Sequence, residues 1–347
     1  MPSHEVYMSR CLGLAVMATG SVSPNPMVGA VLVHEGRIIG EGYHEQYGQP
    51  HAEVNCINSV AEGEKHLIKD AIIYVSLEPC AHHGKTPPCA DLIIEHGIRQ
   101  VVTGSHDPNP LVAGQGIVKL RNAGIEVTAR VLRQQCDFVN RRFITFHTQH
   151  RPYIILKWAQ SADGYFAPDG NKQQWLTNEY SQKLVHKWRT EEDAILVGTR
   201  TALIDDPMLT ARLWEGKNPV RILIDMDLKV PLTSKMYNDD ALTIVYNSQK
   251  EGLEYGTLYI KIISGETVPQ QIASDLYSRK MQSIIIEGGA YTLMQFIAAG
   301  LWDEARILTS PATLGSGIRA PYVSGIVCEK TNILEDTVTI TLNPASL

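Results

Sequence analysis

One imidazole and two thiols, in the order His51-Ala52-Glu53, Pro79-Cys80 and Cys89, constrain this 347-residue chain most, because they must converge if they bind a metal. Zinc accepts imidazole nitrogen and thiolate sulfur, and a catalytic zinc site uses three protein ligands with the fourth position left for water. His51, Cys80 and Cys89 supply three. Glu53 stands two residues after His51, where it can move a proton to and from such a water without ligating the metal. A closed structural site is the alternative. It would need a fourth Cys or His, no Cys-x2-Cys pair accompanies these residues, and only His82 and His83 stand nearby.

This division of labour is that of the zinc nucleobase deaminases. Residues 81–88 separate Cys80 from Cys89, a longer insert than the two residues of the commonest deaminase signature. The net charge of −6 is spread over both halves, so the clustered Lys and Arg of a nucleic-acid surface are missing. The base is therefore expected to be a small free molecule, with no nucleic-acid partner. No run of about 18 apolar residues could span a bilayer, and Met1-Pro2-Ser3-His4-Glu5 lacks the basic and apolar parts of a signal peptide. A cytoplasmic protein with no membrane partner is expected. Six cysteines are too few for a disulfide framework, and Cys11, Cys56, Cys136 and Cys328 are expected to be reduced.

Periodicity places the elements. Ser3 can cap a helix whose apolar positions Met8, Cys11, Leu12, Ala15 and Ala18 recur at three-and-four spacing. Apolar runs over 30–33 and 37–40 flank Glu35-Gly36, a hairpin signal. A helix over 51–60 sets His51 and Glu53 in its first turn, and the β-rich run 71–77 ends at Glu78-Pro79-Cys80. A second helix runs from Pro88-Cys89 to Gly97, with proline at its start and glycine after its end. Helix starts carry unpaired backbone amides, which favour anionic thiolate and carboxylate. Strands over 100–104 and 126–131, with a helix over 116–122 between them, complete an α/β domain spanning 1–148.

At Thr148-Gln149-His150-Arg151-Pro152 the pattern restarts, and a second domain over 149–347 is expected. Helices over 180–189, 270–279 and 292–299 interleave with strands over 194–197, 220–225, 242–246, 283–287 and 303–308, the pattern of a mainly parallel sheet covered on both faces. Glu287-Gly288-Gly289 ends a strand and opens a helix, where backbone amides can meet a phosphate. A tight turn would also use such glycines with no ligand present, and the full Gly-x-Gly-x-x-Gly fingerprint is absent. Arg189 and Arg212 suit a phosphate, or solvated pairing with acids such as Asp205 and Asp206.

The motifs Ser23-Pro24-Asn25-Pro26-x-Val28-Gly29, His51-Ala52-Glu53, the run from Leu77 through Cys80 and His82 to Cys89, and Asp107-Pro108-Asn109-Pro110 share one resemblance with four in the second half. Those four are Lys157 to Gly164, Gln174-Trp175-Leu176-Thr177, Asp205 to Thr210 and Glu287-Gly288-Gly289. From end to end the chain resembles the bifunctional deaminase/reductase family of riboflavin biosynthesis. The resemblance implies a cytidine-deaminase-like three-layer α/β/α domain followed by a dihydrofolate-reductase-like α/β domain. It implies Zn2+ on His51, Cys80 and Cys89, with Glu53 relaying protons while water replaces the exocyclic amine of a diaminopyrimidine ribosyl phosphate. NADPH hydride would then open the ribosyl group to a ribityl chain. A homo-oligomer, dimer or tetramer, is expected.

Carried over position by position, Asn25, His82, Lys85 and Thr86 would contact the deaminase substrate. Ala159, Trp175, Thr201, Asp205, Met226 and the segment Gly289, Ala290, Tyr291, Thr292, Leu293, Met294 and Gln295 would line NADPH. Gln173, Arg189, Leu209, Arg212 and Glu287 would hold the reductase substrate. Gln173 and Met226 stand where the family usually has serines, which keeps open a deaminase with a degenerate reductase half. A base-editing nucleic-acid binder is disfavoured by the acidic halves, and a zinc-stapled scaffold would not require Glu53.

Overall fold

Glu35 and Gly36 take φ of 49° and 80°, the left-handed pair of a tight hairpin turn, and they join β1 (Gly29–His34) to β2 (Arg37–Tyr43) in antiparallel register. The computed structural model describes residues 3–81, 87–109, 113–170 and 174–346. The chain divides into two compact units, Met1–His150 and Arg151–Leu347.

In the first unit, α1 (His4–Ala15), α2 (Ala52–Asn58), β3 (Ile72–Leu77), α3 (Cys89–Glu95), β4 (Gln100–Ser105), α4 (Gln115–Asn122) and β5 (Glu126–Thr128) follow the expected alternation. The sheet order is β2-β1-β3-β4-β5, antiparallel at the hairpin side and parallel from β3 to β5. Because successive strand side chains face opposite ways, Leu32, Ile73 and Val101 pack on α2, α3 and α4 through Cys56, Ile93 and Leu120. Val31, Tyr74 and Val102 pack on the other face against Met8 and Cys11 of α1. The result is three layers, α/β/α. Two helices not read from periodicity, α5 (Arg133–Val139) and α6 (Arg141–Gln149), close the unit, and Cys136 of α5 joins the α1 side of the core.

The second unit contains β6 (Tyr153–Gln160), β7 (Tyr165–Ala167), α7 (Glu179–Glu191), β8 (Ala194–Gly198), α8 (Thr199–Asp205), β9 (Val220–Ile224), β10 (Thr243–Asn247), β11 (Gly252–Glu254) and β12 (Thr257–Lys261). It continues through α9 (Val268–Ser278), β13 (Ser283–Ile286), α10 (Ala290–Ala298), β14 (Glu304–Thr309), β15 (Ile318–Arg319), β16 (Ile326–Ile333) and β17 (Asp336–Leu342). Ten of these strands form one sheet in the order β11-β12-β10-β9-β8-β13-β6-β14-β17-β16, parallel from β12 to β14 and antiparallel at both edges. Ile155, Ile195, Leu223 and Ile285 pack toward Val185 and Trp188 of α7, and Ile154, Leu196, Ile222 and Ile284 toward Ile272 of α9 and Phe296 of α10. Both faces are covered, as the near-continuous apolar strands require.

The expected parallel core is present, while the edge strands were not legible. β16 is exposed along nearly its whole length and so lacks alternation, and β11 has only three residues. Among the described residues no helix is long and apolar enough to cross a membrane.

The segment carrying Cys80 is clamped by packing. A Cβ built on Gly116 of α4 would lie 1.9 Å from the Pro79 carbonyl oxygen. The adjacent Glu78 is 4% exposed, and its carboxylate accepts from the Gly114 and Ile117 amides at 3.1 and 3.2 Å. Gly116→Ala is expected to cost about 2 kcal/mol by overpacking, read by urea denaturation, and to lower the zinc bound per chain by displacing the Pro79-Cys80 strand end.

Candidate functional site

His51 is the N-cap residue of α2, Cys89 is the first residue of α3, and Cys80 lies in the stretch that follows β3. Three segments distant in sequence thus meet. His51 Nδ1 lies 3.3 Å from Cys89 Sγ and 3.7 Å from Cys80 Sγ, and the three ligand atoms all fall within 4.8 Å of one another. The Cys89 backbone N–H donates to Cys80 Sγ at 3.3 Å, which helps hold negative charge on that sulfur. A hydrogen bond from the Cys89 thiol draws Cys80 toward thiolate, and His51 beside it acts the same way against burial. Cys89, as the donor and as a buried group, is pushed up. One imidazole and two close sulfurs, one already thiolate-like, form a donor set that fits zinc.

Glu53, in the first turn of α2, is 4% exposed. Burial and the neighbouring Cys80 raise its carboxyl to about 7, only partly opposed by His51. A carboxyl poised there can both take and return a proton near neutral pH.

Asn25 follows the cis Ser23-Pro24 peptide and is half-buried. Its Nδ2 lies 3.1 Å from Nε2 of His44, whose Nδ1 lies 3.0 Å from the Pro50 carbonyl. A carbonyl only accepts, so Nδ1 carries the proton and Nε2 accepts from Asn25. The His44 ring stands edge-on to His51 with centroids 5.4 Å apart. His44 was missed in the sequence because a lone histidine beyond β2 carries no spacing signal. His82, Lys85 and Thr86, expected at this substrate, lie outside the described residues, as does Gln173 of the reductase set.

In the second unit a cavity of about 1180 Å³ opens beside the carboxyl ends of the parallel strands. Such edges are where open α/β sheets bind ligands. Ala159, Trp175, Thr201, Asp205, Leu209, Arg212 and Met226 all line it, as do Gly289, Ala290, Tyr291, Thr292, Met294 and Gln295 of the segment that opens α10. Leu293 does not line it. It is fully buried in the core against the sheet, because the helix turns its apolar stripe inward there.

Gly198 and Gly288, at the ends of the neighbouring strands β8 and β13, leave room for Thr292. A Cβ on either would come within 2.6 or 2.9 Å of that side chain. The N-cap of α10 is Gly289, with no side-chain cap. Its first amides therefore face a cavity without a side-chain partner, an arrangement that fits the pyrophosphate of a dinucleotide such as NADPH.

Glu287 lines the same cavity between two cations. Arg189 of α7 donates to it twice, Nε to Oε1 at 2.9 Å and Nη2 to Oε2 at 2.8 Å, and Lys157 of β6 approaches Oε2 at 3.4 Å. Burial alone would raise Glu287, yet Arg189 and Lys157 more than offset it and hold the carboxyl at about 2. Arg189 also donates to the Thr210 carbonyl at 3.1 Å. Its fork is committed to protein partners, while among the described residues Arg212 makes no ion pair. Lys157 and the buried His186 also line this cavity, and neither was named as a contact from sequence. Burial, with Arg189 and Arg212 nearby, depresses His186 to about 4.

Both halves of the chain are similar to known proteins. Residues 1–105 match the family model of the cytidine and deoxycytidylate deaminase zinc-binding region, and residues 152–342 that of the RibD C-terminal domain. The riboflavin biosynthesis protein RibD of Aquifex aeolicus (strain VF5) is 43% identical over 90% of this chain and 88% of its own length. That of Escherichia coli (strain K12) is 36% identical over 91% and 89%. The crystal structure of a diaminohydroxyphosphoribosylaminopyrimidine deaminase/5-amino-6-(5-phosphoribosylamino)uracil reductase from Thermotoga maritima superposes with a TM-score of 0.88. It is 36% identical and covers 97% of this chain and 98% of that one. The α/β readings of both halves, the zinc and the NADPH agree with these matches. With identity of that extent over both halves, the chain belongs to the RibD family of riboflavin biosynthesis enzymes, in which a zinc-binding deaminase region and a reductase domain share one polypeptide.

Proposed function

We propose that His51, Cys80 and Cys89 hold the zinc of a pyrimidine deaminase domain over residues 1–148, with Glu53 as its proton carrier, and that residues 149–347 form the NADPH-dependent reductase. The observation that carries the reading is the convergence of three ligand atoms within 4.8 Å beside a buried carboxyl raised to about 7. The enzyme converts 2,5-diamino-6-ribosylamino-4(3H)-pyrimidinone 5′-phosphate to 5-amino-6-(5-phosphoribosylamino)uracil, then reduces the ribosyl group to ribityl. It works in the cytoplasm as a homo-oligomer, dimer or tetramer.

When bound, zinc lowers the pKa of a water and makes it a nucleophile near neutral pH. Glu53 would take one proton from the attacking water and pass it to the ring nitrogen, then carry the second, from the hydroxyl added to the ring carbon, to the amine as the C–N bond breaks and ammonia leaves. Asn25, oriented by His44, reads the pyrimidine together with His82, Lys85 and Thr86. The cavity of the second unit would hold NADPH, which would supply hydride for the first carbon of the sugar. Ala159, Trp175, Thr201, Asp205, Met226 and the segment Gly289 to Gln295 bind the cofactor, Leu293 through its backbone alone. Arg212 takes the substrate phosphate, and Glu287, fixed by Arg189 and Lys157, accepts from the sugar hydroxyls. Gln173 and Leu209 complete the substrate pocket.

Glu53→Ala is expected to keep its zinc and lose about 10³-fold in ammonia release, while NADPH oxidation with the aminouracil intermediate stays at the wild-type rate. Metal analysis and the two assays run side by side check this, and normal deamination by the variant would remove Glu53 from the mechanism. Chelation of the metal is expected to reproduce that split, abolishing ammonia release alone.

Glu287→Gln leaves Arg189 and Lys157 without their shared anion, and is expected to cost about 3 kcal/mol as well as reductase turnover. Because the folded carboxyl is held at about 2, below its ordinary 4.5, its stabilisation is fully present above about 4.5 and fades as pH falls toward 2. Urea denaturation from pH 7 to pH 3 should therefore show a smaller acid loss in the variant than in the wild type. Equal slopes would contradict the pairing.

A further inference from the structure

Nicotinamide dinucleotides with and without the extra phosphate differ at one group, the 2′ position of the adenosine ribose. In dinucleotide-binding α/β sheets an acid beyond the phosphate-binding turn accepts from a 2′-hydroxyl, whereas an arginine nearby accommodates a 2′-phosphate. Here Gly198 ends β8, and the next parallel strand, β9, leads into Asp225.

Asp225 cannot play the hydroxyl-reading part as it stands. It is 1% exposed, and both oxygens are engaged inside the protein: Oδ1 accepts from Thr199 Oγ1 at 3.0 Å and Oδ2 from the Val230 amide at 2.8 Å. It is also not among the residues that line the cavity. The residues that do line it beside these strand ends include Arg200, Met226 and Lys235. Met226 offers no strong hydrogen-bonding group. Arg200 is exposed in the first turn of α8, and Lys235 is anchored to Asp206, the residue just beyond the last turn of that helix.

Asp206 accepts from Ser234 Oγ at 2.7 Å and from the Lys235 amide at 2.9 Å. Lys235 Nζ lies 3.4 Å from the same carboxylate, with the two side chains 60% and 42% exposed. A pair so solvated contributes little, so the ammonium can turn to a stronger anion. The cations Lys157 and Arg189 are already committed to Glu287.

We propose that Arg200, with Lys235 as its second cation, reads the 2′-phosphate and gives this chain its preference for NADPH over NADH. Met226, which lines the same cavity, adds no strong hydrogen-bonding group to it. The inference rests on the cavity being the cofactor site, as proposed above.

Binding to the full chain is measured by calorimetry with NADPH, NADH and adenosine 2′,5′-bisphosphate, for the wild type, Arg200→Ala, Lys235→Ala and the double variant. Arg200→Ala is expected to weaken NADPH and the bisphosphate about tenfold, as for a charge-assisted hydrogen bond, and Lys235→Ala about threefold, as for an exposed pair. NADH affinity should stay within about twofold in every variant, since the groups it shares with NADPH are untouched. Discrimination retained in the double variant overturns the assignment of Arg200 and Lys235 while leaving the cofactor site standing. An equal loss of NADH affinity overturns it too, because the effect would then be on the pocket as a whole. A wild type that binds neither dinucleotide overturns the cofactor site and this inference with it.

Discussion

A carboxylate taken out of water must either find positive charge or keep its proton, and the two halves of this chain apply opposite solutions to the same side chain. Glu53 is buried beside sulfur, only partly compensated by His51 and by hydrogen bonds from its own backbone amide and Cys89, and rises to about 7. Glu287 is buried between a guanidinium and an ammonium and falls to about 2. The first can take and return a proton near neutral pH, and the second is a fixed anion. Each assignment follows from the neighbours that the fold supplies, since the residue type is identical. Much of the remaining architecture serves to hold those neighbours in place.

In the first unit that support is close packing around the end of β3. Glu78 ties the segments carrying Gly114 and Ile117 to the strand end, Gly116 lets α4 press on the Pro79 carbonyl, and Cys80 follows immediately. The starts of α2 and α3 then bring His51 and Cys89 to the same point. In the second unit the parallel strands β6, β8, β9 and β13 end together, so Lys157, Gly198 and Glu287 open onto one cavity. Helices cover the faces of that sheet, and the strand ends are where ligands can approach.

The three residues that converge as a candidate metal set were legible from residue type and spacing, because histidine and cysteine beside a His-x-Glu pattern have few other uses. The alternating elements were legible wherever burial imposed a period. β16 escaped because it is exposed on both faces, and α5 and α6 because no start or stop signal marks them. Leu293 shows the reverse limit. Motif position put it among the cofactor contacts, whereas the turn of α10 sends its side chain into the core.

The sequence by itself determined the chemistry available to this protein: a soft three-ligand set with a carboxyl beside it, glycines at a strand-to-helix turn, and two α/β units, the second of mainly parallel strands. Those depend on residue type and local spacing, which a linear chain already contains. Only the tertiary structure decided that Arg189 is committed to Glu287, that Asp225 is sealed inside with both oxygens engaged, and that His44 orients Asn25. Each of these joins residues from separate segments, and which groups meet, and at what dielectric, is fixed by packing across the fold.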